Sequence, residues 1–340
     1  MFLKIITDTN IIRKQSNTFV RRMRGVMNEK FSVRLGHMGA SRASRIHWSE
    51  NLGIWMVCEK GDDRFFHAFG SGKPKPGGLL AASCEINFPT GGIDRRTGGA
   101  FARDHRGQVF VVHRGRIGGG RKGIGKSLFD THYRGVWAMM DDGGQETVVA
   151  VIGLLKSNRF PRHLAHFVYK VERIKNETNA PSSQTTLLFP DVSFREEWTG
   201  RRQADFFRDM AGMCDQGVIV KDLYRELKTG GFRVGNDPFR DLFLVDDQGR
   251  IRVIFHVLTD VSPSSLQEGV TQLLLQSLNI SRKTLLGLAV PRLPEADAWN
   301  RFSKLNVDLF PYTWENDRAS FPDLLNRLPS VCMKTNANPV

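Results

Sequence analysis

Asp241–Ser277 reads DLFLVDDQGRIRVIFHVLTDVSPSSLQEGVTQLLLQS, and its hydrophobic period changes along its length. Arg240–Val245 and Ile251–Thr259 are short apolar runs rich in β-branched and aromatic residues, which predicts two strands. Asp246–Gly249 (DDQG) between them has turn chemistry, so the strands should form a hairpin. Ser265–Leu278 then carries Leu266, Val270, Leu273, Leu274 and Leu278 at helical spacing. Working outward, Arg202–Met213 and Ile219–Lys228 have helical patterns, while Thr284–Val290 and Val307–Tyr312 read as further strands. Helix, helix, strand, strand, helix, strand, strand is the order of an α/β domain.

That order resembles the core of the PD-(D/E)XK (restriction-endonuclease-like, RecB-like) nuclease superfamily, over roughly residues 200–315. Asp241 opens the first strand, Gln272-Leu273 sits on the helix, and Ile219–Lys228, with Glu226, fits the leading helix. The resemblance implies a second strand ending in Glu-x-Lys. The family's Asp and Glu hold Mg²⁺ or Mn²⁺, which activates water, and its Lys orients that water and stabilises the developing charge. Here the strand reads Phe255-His256-Val257-Leu258-Thr259-Asp260, with His256 at the Glu position and Leu258 at the Lys position. Leucine can do neither job, and a nitrogen donor suits Mg²⁺ poorly. The resemblance therefore implies a degenerate, inactive site of which Asp241 and His256 are the remnant. Retained activity would need a migrated metal site, with Asp241 joined by Asp260 or Glu226; otherwise no cofactor is expected. Asp246 and Asp247 read as turn residues. Prokaryotic restriction or anti-phage defence is the setting the resemblance implies, with this domain reading DNA shape, docking a protein partner or forming a homodimer. An unrelated α/β domain with His256 as a core histidine is the other reading.

Charge divides the chain. The 340 residues carry a formal net charge of +14. Residues 1–180 hold 30 Lys and Arg against 15 Asp and Glu, whereas 181–340 hold 19 against 20. Such asymmetry points to one domain facing a polyanion, DNA or RNA. A membrane surface would call for a basic amphipathic helix or a lipidation signal. Neither is evident, the apolar runs are too short to span a bilayer, and the N-terminus has no signal-peptide pattern. The four cysteines (Cys58, Cys84, Cys214, Cys332) are scattered, as in a reduced cytoplasmic protein.

The N-terminal domain, 1–175, has a helical pattern at Thr18–Glu29. Strand-like runs follow at Gly53–Glu59, Arg64–Phe69, Gln108–His113, Thr147–Leu155 and His166–Val171, separated by Gly-rich turns. The expected fold is α+β: a basic, β-rich barrel or sandwich, a polar linker at 176–186 within KNETNAPSSQTT, and a restriction-endonuclease-like α/β domain at 187–340.

The main nucleic-acid contact is expected between Arg95 and Lys126. Arg95, Arg96, Arg103, Arg106, Arg114, Arg116, Arg121, Lys122 and Lys126 face one acid there, Asp104, among nine glycines and the aromatics Phe101 and Phe110. Cations neutralise phosphates, glycines admit backbone N–H groups to phosphate oxygens, and aromatics stack on bases. The same stretch holds GRKGIGKS (Gly120–Ser127), a literal P-loop pattern, in which Lys126 would reach phosphates and Ser127 would bind Mg²⁺. A P-loop NTPase is thus a further alternative, although the β-rich surroundings suit it badly. His163 and His166 could pair on one face, with no third ligand in view.

Overall fold

The computed structural model describes residues 2–37, 40–119, 123–179, 194, 202–203, 210–237, 239–278, 280, 284–300 and 303–328, and on them the protein is a strand-rich α+β chain. The chain divides into two units: Met1–Ser183 with Arg201–Cys214, and Gln184–Gly200 with Asp215–Val340.

The first unit runs β1 (Phe2–Ile5), α1 (Thr9–Arg24), β2 (Glu29–His37), β3 (Ala40–Ser49), β4 (Ile54–Lys60), β5 (Arg64–Ser71), β6 (Leu79–Ala81), β7 (Cys84–Glu85), β8 (Phe88–Pro89), β9 (Gly99–Arg103), β10 (Val109–His113), α2 (Lys126–His132), β11 (Val136–Asp141), β12 (Glu146–Leu154), α3 (Phe160–Asn179) and β13 (Arg202–Gln203). β1 pairs antiparallel with β9 and parallel with β11, so the order β1-β9-β10-β12-β11 closes into a five-stranded barrel. Period-2 alternation fills it: Leu3, Ala100, Ala102, Phe110, Ala138 and Val149 belong to its buried interior. Alanines are needed there because so few strands enclose a narrow space.

The second sheet has the order β6-β2-β3-β4-β5-β7. Its two edge strands are joined by Ala82-Ser83 alone, so the sheet must curl until its edges approach. One face, with Val33, Leu35, Ile46, Trp48, Trp55, Val57 and Ala68, turns in on itself. Gly70 lies across from Trp55 in the β4–β5 pair, where a Cβ would sit 2.5 Å from the indole. The other face packs Ile54, Met56 and Phe69 with Phe19 of α1, Phe167 and Val171 of α3, and Phe101 and Val111 from the outside of the barrel.

Three local expectations change. The first helix starts at Thr9, not Thr18, because Asp8 caps it by accepting from Ile11 N at 2.8 Å. His166–Val171 is helical, inside α3, not a strand. Nearly all of it is buried, and an apolar run buried on several sides has no period to read. The segment expected to begin the linker, 176–179, is the end of α3, while 180–186 lies outside the described residues.

The second unit takes up α4 (Met210–Thr229) from Asp215, then β14 (Val234–Gly235), β15 (Leu242–Val245), β16 (Ile251–Val257), α5 (Pro263–Ser277), β17 (Leu285–Val290), α6 (Ala296–Asn300), β18 (Val307–Pro311), β19 (Thr313–Glu315) and β20 (Arg318–Ser320). Of the helix expected at Arg202–Met213, Arg202 and Gln203 are instead strand β13, and 204–209 lie outside the described residues. The sheet has the order β14-β15-β16-β17-β18, antiparallel up to β16 and parallel beyond it. The expected hairpin forms, with Gly249 at φ 74° closing its turn. α5 is the crossover that a parallel β16–β17 pair requires. Ile219, Leu223 and Leu227 of α4 pack with Leu242, Leu244, Val253 and Phe255. Leu266, Val270 and Leu273 of α5 pack with Ile254, Leu258 and Leu288. Among the described residues no helix is long and apolar enough to cross a membrane.

Candidate nucleic-acid interface

The cations between Arg95 and Lys126 do not form one patch. Arg103 ends β9, and Arg106 lies in the turn to β10, both exposed. Arg96, Arg114 and Arg116 belong to the opposite end of that hairpin, where Gly99 pairs with His113. Arg121 and Lys122 lie outside the described residues. Lys126 is exposed on the first turn of α2 and donates to Thr147 Oγ1 at 3.2 Å.

Arg114 is a correction. Its side chain is 8% exposed and grips Asp142 with two parallel bonds, Nε to Oδ2 at 3.0 Å and Nη2 to Oδ1 at 2.7 Å. Nη1 donates to Thr97 O at 3.1 Å. The guanidinium ties the segment before β9 to the β11–β12 turn and has no face left for a phosphate. Arg95, half exposed, donates to Asp142 O at 2.7 Å.

Arg96 and Arg116 instead converge with Arg64, which opens β5, on a cavity of 530 Å³ also lined by Glu85, Asn87 and Gly118. Each side chain is placed by a different local device. Arg96 sits in a turn whose Asp94 carboxylate accepts from both its backbone N, at 2.9 Å, and its Nε, at 3.1 Å. Arg116 follows β10 at the base of a loop pinned by the Ile117–Ile124 bridge. Arg64 donates to Asp63 at 2.6 Å and 3.0 Å, which pulls the Asp63 carboxyl below its usual range and raises the Arg64 guanidinium. Asn87 is fixed because its Oδ1 accepts from His67 N at 2.9 Å, and its Nδ2 then donates to Glu85 Oε2 at 2.9 Å. His67 and His113 lie fully buried behind this wall, and burial pushes both imidazoles down to about 4.

A second cavity, of 460 Å³, opens at the mouth of the curled sheet and shares Arg64 and Glu85 with the first. Leu35, Phe66, Ala68 and Ala82 give it apolar walls, and Arg42, Lys60, Glu59 and Asp63 stand around them. Arg64, Phe66 and Ala68 reach it together because alternate residues of β5 share a face. The sequence reading missed Arg64, Glu85 and Asn87. A cation at an inward-facing position of RFFHAF was the available signal.

The P-loop pattern lacks its context. α2 begins at Lys126 and has seven residues, and β10 is antiparallel to both neighbours, so no parallel strand–loop–helix unit surrounds it. Gly120–Lys122 lie outside the described residues. His163 and His166 are buried in α3.

In the second unit, Leu242 pairs with Phe255, which sets Asp241 beside His256. His256 Nδ1 lies 3.0 Å from Asp241 Oδ2. The same oxygen accepts from Val257 N at 3.0 Å and from Gln216 Nε2 at 3.3 Å. Leu258 packs into the apolar cluster under α5. Ser262 caps α5, and Asp260 supports the cap by accepting from Ser262 N and Ser265 Oγ, each at 2.9 Å. Glu226 accepts from Phe321 N at 3.2 Å, and burial raises its carboxyl. Asp246 braces its turn: burial opposes its charge, but bonds from Arg250, Arg252 and Gln248 hold the carboxyl far below its usual range. Mg²⁺ and Mn²⁺ favour several oxygen ligands. Asp241 offers one carboxylate whose Oδ2 is already engaged, and among the described residues no group of three His, Cys, Asp or Glu is placed to share an ion. These residues do not fit the metal. No family model, curated protein or solved structure matches the chain.

Proposed function

We propose that the protein binds DNA through its first unit, and that its second unit is a restriction-endonuclease-like fold without the residues for cutting. Membership of that superfamily, and with it a role in prokaryotic restriction or anti-phage defence, is part of the proposal. The observation that carries the binding reading is the convergence of Arg64, Arg96 and Arg116, from three separate segments, on one cavity in the basic half of the chain. Guanidinium groups bind phosphate bidentately and lose affinity with salt.

The second unit supports the rest by its order of elements. Helix, strand, hairpin turn, strand and helix is the order the resemblance implies, and α4, β15, β16 and α5 run in that order, with Asp241 beside the position where a Glu would stand. His256 and buried Leu258 replace the metal-binding and water-orienting groups. The test is incubation with labelled duplex DNA and plasmid, with and without Mg²⁺ or Mn²⁺. Salt-sensitive binding without cleavage is expected. Cleavage that disappears in Asp241→Ala would overturn the inactive reading and favour an active metal-dependent nuclease.

A further inference from the structure

We propose that the two adjoining cavities of the first unit hold one unstacked DNA nucleotide, with its base in the mouth of the curled sheet and its phosphate among Arg64, Arg96 and Arg116. The inference rests on the DNA-binding reading and names what the site takes.

The two cavities divide polarity as a nucleotide does. Around the 530 Å³ cavity stand three arginines and Glu85; Asp63 holds Arg64 and Asp94 holds Arg96 from beside it, and the guanidinium N–H groups beyond those pairs, with Arg116, suit an anion. Around the 460 Å³ cavity three cations, Arg42, Lys60 and Arg64, are balanced by three acids, Glu59, Asp63 and Glu85. With apolar walls, that balance suits a neutral, flat, polar-edged group. Its volume falls in the range of small-molecule pockets, about 300–1,000 Å³. Arg64 and Glu85 line both cavities, so the two adjoin at these side chains.

The apolar cavity also has a stacking surface. Phe66 is half-buried, and the Arg42 guanidinium lies 5.9 Å from its ring centroid, held by Glu59 at 2.6 Å. A base has the same planar affinity for a ring and a guanidinium. It can reach this recess only by leaving its own stack, as in enzymes and readers that turn a base out of the helix. Glu85, held by Asn87 at the junction, is an acceptor-only carboxylate. It favours bases with an exocyclic amino group, cytosine, adenine or guanine, over thymine.

The test uses single-stranded DNA 12-mers, whose bases need little unstacking: poly-dA, poly-dC, poly-dT and an abasic strand, followed by fluorescence anisotropy with the full chain. We expect dA and dC strands to bind about tenfold tighter than the abasic strand, the loss typical of one stacked base, and tighter than dT. Glu85→Gln, which keeps an acceptor for Asn87, should erase the preference over dT, and because it removes an acid that lines the phosphate cavity it should tighten all strands, the abasic one included. Equal affinity for base-bearing and abasic strands would overturn the base pocket while leaving DNA binding standing. Failure of every strand to bind, together with duplex DNA, would overturn the DNA-binding reading itself. Free dAMP bound with no strand bound, or RNA strands bound more tightly than DNA, would also overturn the proposal. The comparison among strands is made on the unaltered protein, so it does not depend on any variant folding.

Discussion

Arg114 and Arg116 are two residues apart in a run of arginines, yet their surroundings give them opposite roles. Arg114→Ala removes one half of a pair in which Asp142 is 2% exposed and Arg114 8% exposed. Breaking a buried pair by deleting one partner costs about 3–5 kcal/mol, because the remaining charge loses its compensation. Arg95, with Nε 3.4 Å from the same carboxylate, softens this toward the lower end, about 3 kcal/mol. For a unit of this size each kcal/mol moves Tm by about 2–4 °C, so a fall of roughly 6–12 °C is expected. Calorimetry measures it, and amide exchange of β9 and β10 places the transition in the first unit. Arg116→Ala, at an exposed position, should change stability by no more than about 0.5 kcal/mol. Replacing Arg114 and Asp142 together by Met and Leu should recover most of the loss, since well-packed apolar groups often equal a buried pair. An unchanged Tm in Arg114→Ala, or an equal loss in Arg116→Ala, would refute the assignment.

Other outcomes follow from the same geometry. His67 and His113 protonate near 6.5 when unfolded but only near 4 when buried. They therefore leave stability unaffected above that range and lower it as pH falls from about 6.5 to about 4, by roughly 1.4 kcal/mol per pH unit for each residue. NMR titration midpoints near 4 are expected for both rings, and midpoints near 6.5 would contradict their burial. Gly70→Ala should destabilise the curled sheet by about 1–3 kcal/mol in urea unfolding, because its Cβ would meet the Trp55 indole. Plasmid incubated with Mn²⁺ should remain intact for both the unaltered protein and Asp241→Asn.

The second unit was the more legible part of the fold. Its strands are continuous apolar runs broken by DDQG, and its helix α5 keeps one apolar stripe, so period and punctuation agree. α3 was misread because HFVYKV is buried on most sides and carries no period. The site was half legible. Arg96 and Arg116 follow from composition, but composition cannot say which arginine is buried, and the partner of Arg114 lies 28 residues away. Arg64, Glu85 and Asn87 enter only through strand pairing, because β5 meets β7 and β8 across the chain.

The salt dependence of duplex DNA binding tests the central claim most directly. Measured between about 50 and 200 mM salt, log K should fall linearly with log salt. Replacing Arg96 and Arg116 together by alanine should make that slope shallower by about 0.9, the contribution of the one phosphate these arginines share with Arg64, and weaken every sequence alike. An unchanged slope and affinity in that variant would place the DNA elsewhere and contradict the account.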